Sequence, residues 1–391
     1  MNKKNILIVT RSYDQNIGGM ETHTRLIIEK LVSSGHNVTV ITPELAKGSK
    51  SLFYINNITV YRISKMPNLM LKYSLSFWLA VRSFIKCNHN KYDHILNVSM
   101  ATGFVNAALI KKYKLDIITV LHGTYQLERR SLVSQFFVTR NRSIKTLLGI
   151  PYCFMMQIIQ NKVVFNSKKI ISASTIITDD LKIIYRNIDR KITTIRNFID
   201  NNQFAYVERN YNEKKSLNFL YVGRLHKEKG IDMIIMAVDE FERKKISYTL
   251  IIVGDGDMFP GLKNLVKDNK RIKLVGAVSN DEVVEYLDVS DIFLFPTKRT
   301  GEGMSISVLE AMSVGIIVIA PDILSMKELF VDKEDGLIFK LGNQQDFEEK
   351  IFWCFDNLKK LNIISANASK KIECNHSLSG ALNLIENEII A

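Results

Sequence analysis

Cysteine is scarce in this chain. Its 391 residues hold four, Cys87, Cys153, Cys354 and Cys374, with no C-x-x-C pair and no histidine cluster at metal-site spacing. That excludes a disulfide scaffold and a structural zinc site, and it suits a reducing compartment. Long apolar runs are also missing. No uncharged stretch exceeds 17 residues, and Thr146 to Asn161, with 16, includes Pro151 and two glutamines, whereas a membrane-spanning helix needs roughly 20 apolar residues. The opening MNKKNILIVT sets two lysines before a short apolar segment, which is expected to be a buried strand and not a secretory leader. No G-x-G-x-x-G follows that first strand, and the second ends in Thr42-Pro43 with no acidic residue. Both gaps count against a dinucleotide dehydrogenase.

Acidic residues are short on one side only. Residues 1–180 contain 24 Lys/Arg against 9 Asp/Glu, a net +15, while the rest of the chain is near balance and the total is +13. No acidic residue lies between Glu44 and Asp93 or between Glu128 and Asp179. Such asymmetry implies a polyanionic partner or an anionic membrane. Codon bias is the competing account, but it would raise lysine along the whole chain.

What is present is alternation. Lys4–Thr10 is a continuous apolar run, Met20–Ser34 has helical periodicity, Gly35 closes it, and His36–Thr42 is the next strand. This is a βαβ unit of a parallel sheet. His94–Val98 and Asp116–Leu121 are further strands, and 65–91 and 129–162 read as basic, aromatic-rich helices over the sheet. The pattern restarts after a polar linker near Asn197–Lys215. Leu217–Val222, Tyr248–Val253, Ile272–Val275, Ile292–Phe295 and Ile316–Ala320 are strands, with helices at 230–244, 258–268, 281–288 and 304–314 between them. The chain therefore divides into an α/β domain over 1–196 and a second over 197–375. Both are doubly wound, and ligands are expected at the carboxyl ends of the strands.

Three segments carry chemistry. Gly18-Gly19-Met20-Glu21 opens the first helix, where backbone N–H groups can meet an anion; a plain tight turn fits equally well. Val222-Gly223-Arg224 ends a strand and leads to Lys229-Gly230. Arg224 offers a planar fork and Lys229 a point charge to a diphosphate, although a solvated basic loop has the same composition. In Thr300-Gly301-Glu302-Gly303-Met304-Ser305, Glu302 precedes a helix whose first N–H groups favour anions. Glu302 can accept hydrogen bonds from sugar hydroxyls. Glu310, eight residues on and about 12 Å away if the segment is helical, can bind a ribose. The competing reading makes both of them ordinary helix charges. Asp255-Gly256-Asp257 could chelate a divalent metal, but it reads better as a turn near a nucleotide base.

The order and spacing of these segments resemble glycosyltransferase family 4, a retaining group with the GT-B fold of two Rossmann-like domains facing a cleft. Gly35-His36-Asn37-Val38, His122-Gly123, Asn166-Ser167, Ser174, Ile195-Arg196-Asn197, Gly254-Asp255-Gly256, Gly276 and Asp335-Gly336-Leu337 extend the likeness over almost the whole chain. The resemblance implies that Glu302 and Glu310 are the family's glutamate pair, that Arg224 and Lys229 hold the phosphates, and that Gly19 belongs to the anion-binding loop. It further implies that Gly303, Met304 and Ser305 present backbone donors and that His122 touches the transferred sugar. Family sequences usually read Glu-Gly-Phe-Gly and Asn-Gly where this chain has Glu302-Gly303-Met304-Ser305 and Asn197-Phe198. A final helix, 376–391, is implied to pack back on the first domain.

The implied activity is retaining transfer from a nucleotide-sugar donor to a glycan, with a lipid-linked precursor of a bacterial surface polysaccharide as acceptor. Neither a cofactor nor an essential metal is expected, and no nucleic acid. Residues 45–92 and 129–178 each carry eight Lys/Arg and no carboxylate, interleaved with Phe77-Trp78-Leu79 and Phe136-Phe137. That mixture predicts a cytoplasmic protein docked on the inner face of the membrane. A nucleotide-sugar epimerase and a non-catalytic partner subunit on the same fold are the rival readings.

Overall fold

A computed structural model describes residues 3–11, 13, 19–44, 51–55, 57–65, 75–98, 107–137 and 144–390. Gly18, and five of the sixteen Lys/Arg of residues 45–92 and 129–178 (Lys47, Lys50, Lys72, Arg140 and Arg142), lie outside the described residues.

The first unit comprises Met1–Arg129, Leu148–Arg196 and Ser379–Ala391. Its strands are β1 (Asn5–Val9), β2 (Asn37–Glu44), β3 (Leu52–Ile55), β4 (Ile58–Lys65), β5 (His94–Val98), β6 (Asp116–Leu121), β7 (Lys169–Ser172) and β8 (Ile192–Thr194). They form one sheet in the order β3-β4-β2-β1-β5-β6-β7-β8. All pairs are parallel except β3–β4, an antiparallel edge hairpin. Ile6 to Val9 and the whole of β5 are buried, as befits parallel strands covered on both faces. The helix Gly19–Ser33 covers the sheet through Ile27, Ile28 and Leu31.

The second unit comprises Arg130–Leu147 and Asn197–Leu378. Its strands are β9 (Leu217–Val222), β10 (Tyr248–Val253), β11 (Ile272–Gly276), β12 (Ile292–Leu294), β13 (Ile317–Pro321) and β14 (Leu337–Phe339), all parallel in the order β11-β10-β9-β12-β13-β14. The chain moves from β9 to β10 on one side and later to β12 on the other. The switch point therefore lies between β9 and β12, where open α/β sheets bind ligands.

Several expectations change. The helix expected over 65–91 overlaps the last residue of strand β4 (Ile58–Lys65), and the α-helix described within that range is Leu75–Asn88. Its Phe77 and Trp78 are buried in the core. They cannot be the lipid-facing aromatics of the membrane reading, because an interior position already satisfies them. The helix expected over 129–162 is two helices, Tyr125–Phe137 and Ile144–Asn166. The first unit is also interrupted: the chain leaves it after Arg129 and returns at Leu148. Local periodicity cannot report where a connecting segment lies. The helix Leu378–Ile390 packs in the first unit, with Glu386 within 3.1 Å of Lys30 and Glu388 within 2.9 Å of Lys169.

Candidate active site

In the second unit the site is assembled by two loops that follow β9 and β12. Gly223 N–H donates to the Val253 carbonyl (3.0 Å) and Leu225 N–H to that of Asp255 (2.9 Å), which ties the first loop to the turn after β10. Two glycines permit this. A Cβ on Gly254 would lie 1.9 Å from the Gly223 carbonyl oxygen, and one on Gly230 would lie 1.9 Å from that of Pro296. Gly230 also has φ +75°, which glycine alone adopts without strain. Lys298 N–H completes the junction by donating to the Glu228 carbonyl (2.9 Å).

The backbones thus held bring Lys229 and Glu302 together across 73 residues. The Lys229 ammonium donates to both Glu302 oxygens at 2.8 Å, and the Thr297 hydroxyl donates to Oε2 at 3.2 Å. Arg299 lies 3.6 Å from the same oxygen and donates at 3.0 Å to Glu228. Burial alone would raise the Glu302 carboxyl, but the charges of Lys229 and Arg299 with these hydrogen bonds outweigh it. Glu302 is held below the usual carboxylate range and stays ionised. Arg224 is exposed on the same loop, with its carbonyl accepting from the Tyr221 hydroxyl (2.9 Å). Among the described residues no carboxylate lies within ion-pair distance of its guanidinium.

Glu302 sits four residues before the helix Ile306–Ser313, so it is not one continuous helix with Glu310, as the 12 Å estimate assumed. Gly301 and Gly303 flank it in a loop. Ser305 occupies the N-cap without capping a backbone N–H, its hydroxyl lying 3.0 Å from that of Ser307. The helix therefore offers its first N–H groups without a side-chain cap. The Met304 side chain is buried, and its carbonyl accepts from the Asn197 side chain at 2.9 Å. Only its backbone is available to a ligand. The Asn197 carbonyl lies 2.7 Å from the His376 ring, and Phe198 is buried without left-handed backbone, so the turn does not need a glycine there.

Glu310 occupies a different environment. It is buried on the apolar face of its helix, and burial pushes its carboxyl up to about 7 despite a hydrogen bond from Asn280. Asp255 and Asp257 are occupied locally: Asp255 accepts from Gly256 N–H at 2.7 Å, and Asp257 lies 2.6 Å from the His226 ring.

In the first unit, Gly19 begins the helix after β1 and His122 follows β6. The His122 ring meets His23 edge-on, with centroids 4.8 Å apart and planes at 89°. Burial, then the neighbouring His122, holds His23 well below the usual imidazole range, so it stays neutral. Sequence reasoning missed His23, Arg299, Thr297 and Asn280. The loop after β12 was legible, so a search of its polar residues would have found Thr297 and Arg299, whereas nothing local points to His23 or Asn280.

A family profile described as Glycosyltransferase Family 4 matches residues 17–203, and one described as Glycosyl transferases group 1 matches residues 203–371. The chain is 27% identical over 394 residues to an uncharacterised glycosyltransferase of Methanocaldococcus jannaschii, covering 96% of this chain and 95% of that one. It is 27% identical over 382 residues to the alpha-monoglucosyldiacylglycerol synthase of Acholeplasma laidlawii, covering 92% and 90%. The fold matches that of Anabaena HepE, solved in complex with UDP and glucose, at a TM-score of 0.73 and 17% identity over 99% and 100% of the two chains.

Proposed function

We propose, for a chain that belongs to the group 1 glycosyltransferases of family 4 and has the GT-B fold, that it transfers a sugar with retention from a nucleotide-sugar donor to a lipid-linked glycan precursor at an anionic membrane. The observation that carries this is the Lys229–Glu302 pair between the loops after β9 and β12, with Arg224 exposed beside it and an uncapped helix N-terminus following. This is a diphosphate site next to a hydroxyl-binding carboxylate.

In the proposed reaction the bond from the sugar's anomeric carbon to the diphosphate breaks, and the electron pair leaves with the phosphate oxygen. Arg224, Lys229 and the N–H groups after Gly303 receive that charge as it develops. The acceptor oxygen bonds to the anomeric carbon on the face the diphosphate has left, and its proton passes to the departing phosphate oxygen. Glu302 accepts hydrogen bonds from the sugar and, being ionised, orients it. Binding the sugar draws Glu302 from Lys229, and the diphosphate replaces the carboxylate as the lysine's counter-charge. Glu310, deeper and near neutrality, is placed to meet the nucleoside. His122 is assigned to the transferred sugar. Arg224 and Lys229 take the diphosphate's charge, so an essential metal is not part of this reading.

The relative that makes a monoglucosyldiacylglycerol supports a lipid-borne acceptor, and HepE with UDP and glucose supports a nucleotide-sugar donor. The test is transfer from radiolabelled nucleotide sugars to lipid extracts, with wild type beside Glu302→Gln and Arg224→Ala. Each variant is expected to lose about 10²- to 10³-fold in kcat. Near wild-type turnover in Glu302→Gln overturns the site.

A further inference from the structure

We propose that the outward face of the helix Ile144–Asn166 is the surface by which this protein seats itself in an anionic bilayer. Cys153, Met156, Gln160, Val163 and Val164 of this helix are buried against the first unit. Helices with one face buried in a domain usually turn polar residues outward. This one does not. Leu148, Pro151, Phe154, Met155, Ile158 and Phe165 are all exposed, with Phe154 at 56%, Ile158 at 60% and Phe165 at 69%. At 3.6 residues per turn they fall within an arc of about 120° and run about 26 Å along the axis. An apolar stripe of that length on a folded domain marks an interaction surface.

Charge chooses the occupant. Between Glu128 and Asp179 the sequence has no acidic residue, so no carboxylate on this helix repels an anionic headgroup. Lys162 is exposed within the same arc. The Arg129 guanidinium lies 4.2 Å from the Phe154 ring centroid, which places a cation at the edge of the stripe. Apolar side chains with cations at their margin match acyl chains below anionic headgroups. A second copy of this chain would bring a second set of cations against the first. Among the described residues no helix is long and apolar enough to cross a membrane, so the seat is a helix lying in the interface.

This deepens the proposed function, since a lipid-linked acceptor would be met at that interface, and it rests on that reading. The test is co-sedimentation of the full chain with vesicles of equal parts phosphatidylglycerol and phosphatidylcholine. The Phe154→Ser/Ile158→Ser double variant is compared with wild type and with Leu265→Ser/Ile363→Ser, which removes exposed apolar residues of the second unit. The first variant should bind about tenfold or more weakly, and the second should bind as wild type does. Wild-type binding should weaken in 1 M salt, where the Debye length is about 3 Å. All three chains should show the same thermal shift with UDP, which verifies their folding. Equal vesicle binding by wild type and the stripe variant overturns the proposal. So does a wild-type dimer that the stripe variant converts to monomer without any vesicle binding. Failure of transfer with every acceptor, alongside intact vesicle binding, overturns the proposed function and leaves the docking surface standing.

Discussion

At the scale of single residues, two glutamates on one short segment have opposite electrostatics. Glu302 is held ionised by Lys229 and Arg299, while Glu310 is raised to about 7 by burial. For Glu310 the consequence has a definite sign. An unfolded glutamate titrates near pH 4.3, roughly 2.7 units lower, so across that window the folded chain keeps a proton that the unfolded chain has lost. Stability then falls as pH rises from about 4 to 7, by on the order of 3 kcal/mol. Glu310→Gln should remove that slope, and urea unfolding at about pH 5 and about pH 8 would show a smaller difference than in wild type. The depression of Glu302 acts in the other direction, but it is common to both chains and cancels in the comparison. An equal slope would mean that Glu310 is not buried uncompensated. Metal dependence belongs to this scale too. Asp257 is engaged by His226 and Asp255 by its own turn, so activity should survive EDTA treatment followed by desalting. Loss restored only by manganese or magnesium would return the triplet to consideration.

At the scale of elements, the site depends on how closely two loops approach. Gly230 is the closest point, with room for no side chain against the Pro296 carbonyl. Gly230→Ala combines that clash with a left-handed backbone, and the loss of stability should be on the order of 3 kcal/mol. The midpoint of chemical denaturation measures it, and the accompanying loss of UDP binding should be larger than that of a distant variant of equal stability. A midpoint within error of wild type would show that the loops separate at little cost. The helix Asn280–Asp288, which carries Asn280 toward Glu310, has its own anchor: Ser279 and Glu282 form a reciprocal capping box. That fixes the start of the helix, and with it the hydrogen bond that partly offsets the burial of Glu310.

At the scale of the molecule, the chain's last helix completes its first unit. Leu382, Ile385 and Ile389 are buried, Glu386 lies 3.1 Å from Lys30 and 3.5 Å from His36, and Glu388 accepts from Thr193 at 3.1 Å. Three buried aliphatic side chains contribute about 1.5–3 kcal/mol each, comparable with the ~5–15 kcal/mol net stability of a whole domain. Removing residues 378–391 should therefore leave the first unit open to proteolysis within 1–196, while 197–377 stays resistant. Limited trypsin digestion followed by mass spectrometry distinguishes the two. An unchanged digestion pattern would reduce the helix to an ornament.

The sequence by itself determined the parallel core and the loops that carry chemistry. β5, β6, β9 and β10 have the bounds their apolar runs predict, because parallel strands covered on both faces are apolar along most of their length. Arg224, Lys229 and Glu302 were legible because they follow such strands. The hairpin β3–β4 and the short strands β7, β8 and β14 were not, since three or four residues carry too little periodicity and an edge strand alternates. Only the tertiary structure decided which groups meet. Lys229 with Glu302, His23 with His122 and Asn197 with the Met304 carbonyl are separated by 73, 99 and 107 residues, and local patterning holds no information on such pairs. It also decided which apolar residues are inside. Phe77-Trp78 and Phe154-Met155 look alike in sequence, yet the first pair fills the core and the second faces outward. Burial depends on what the rest of the chain places against a helix, and that is a property of the assembled fold.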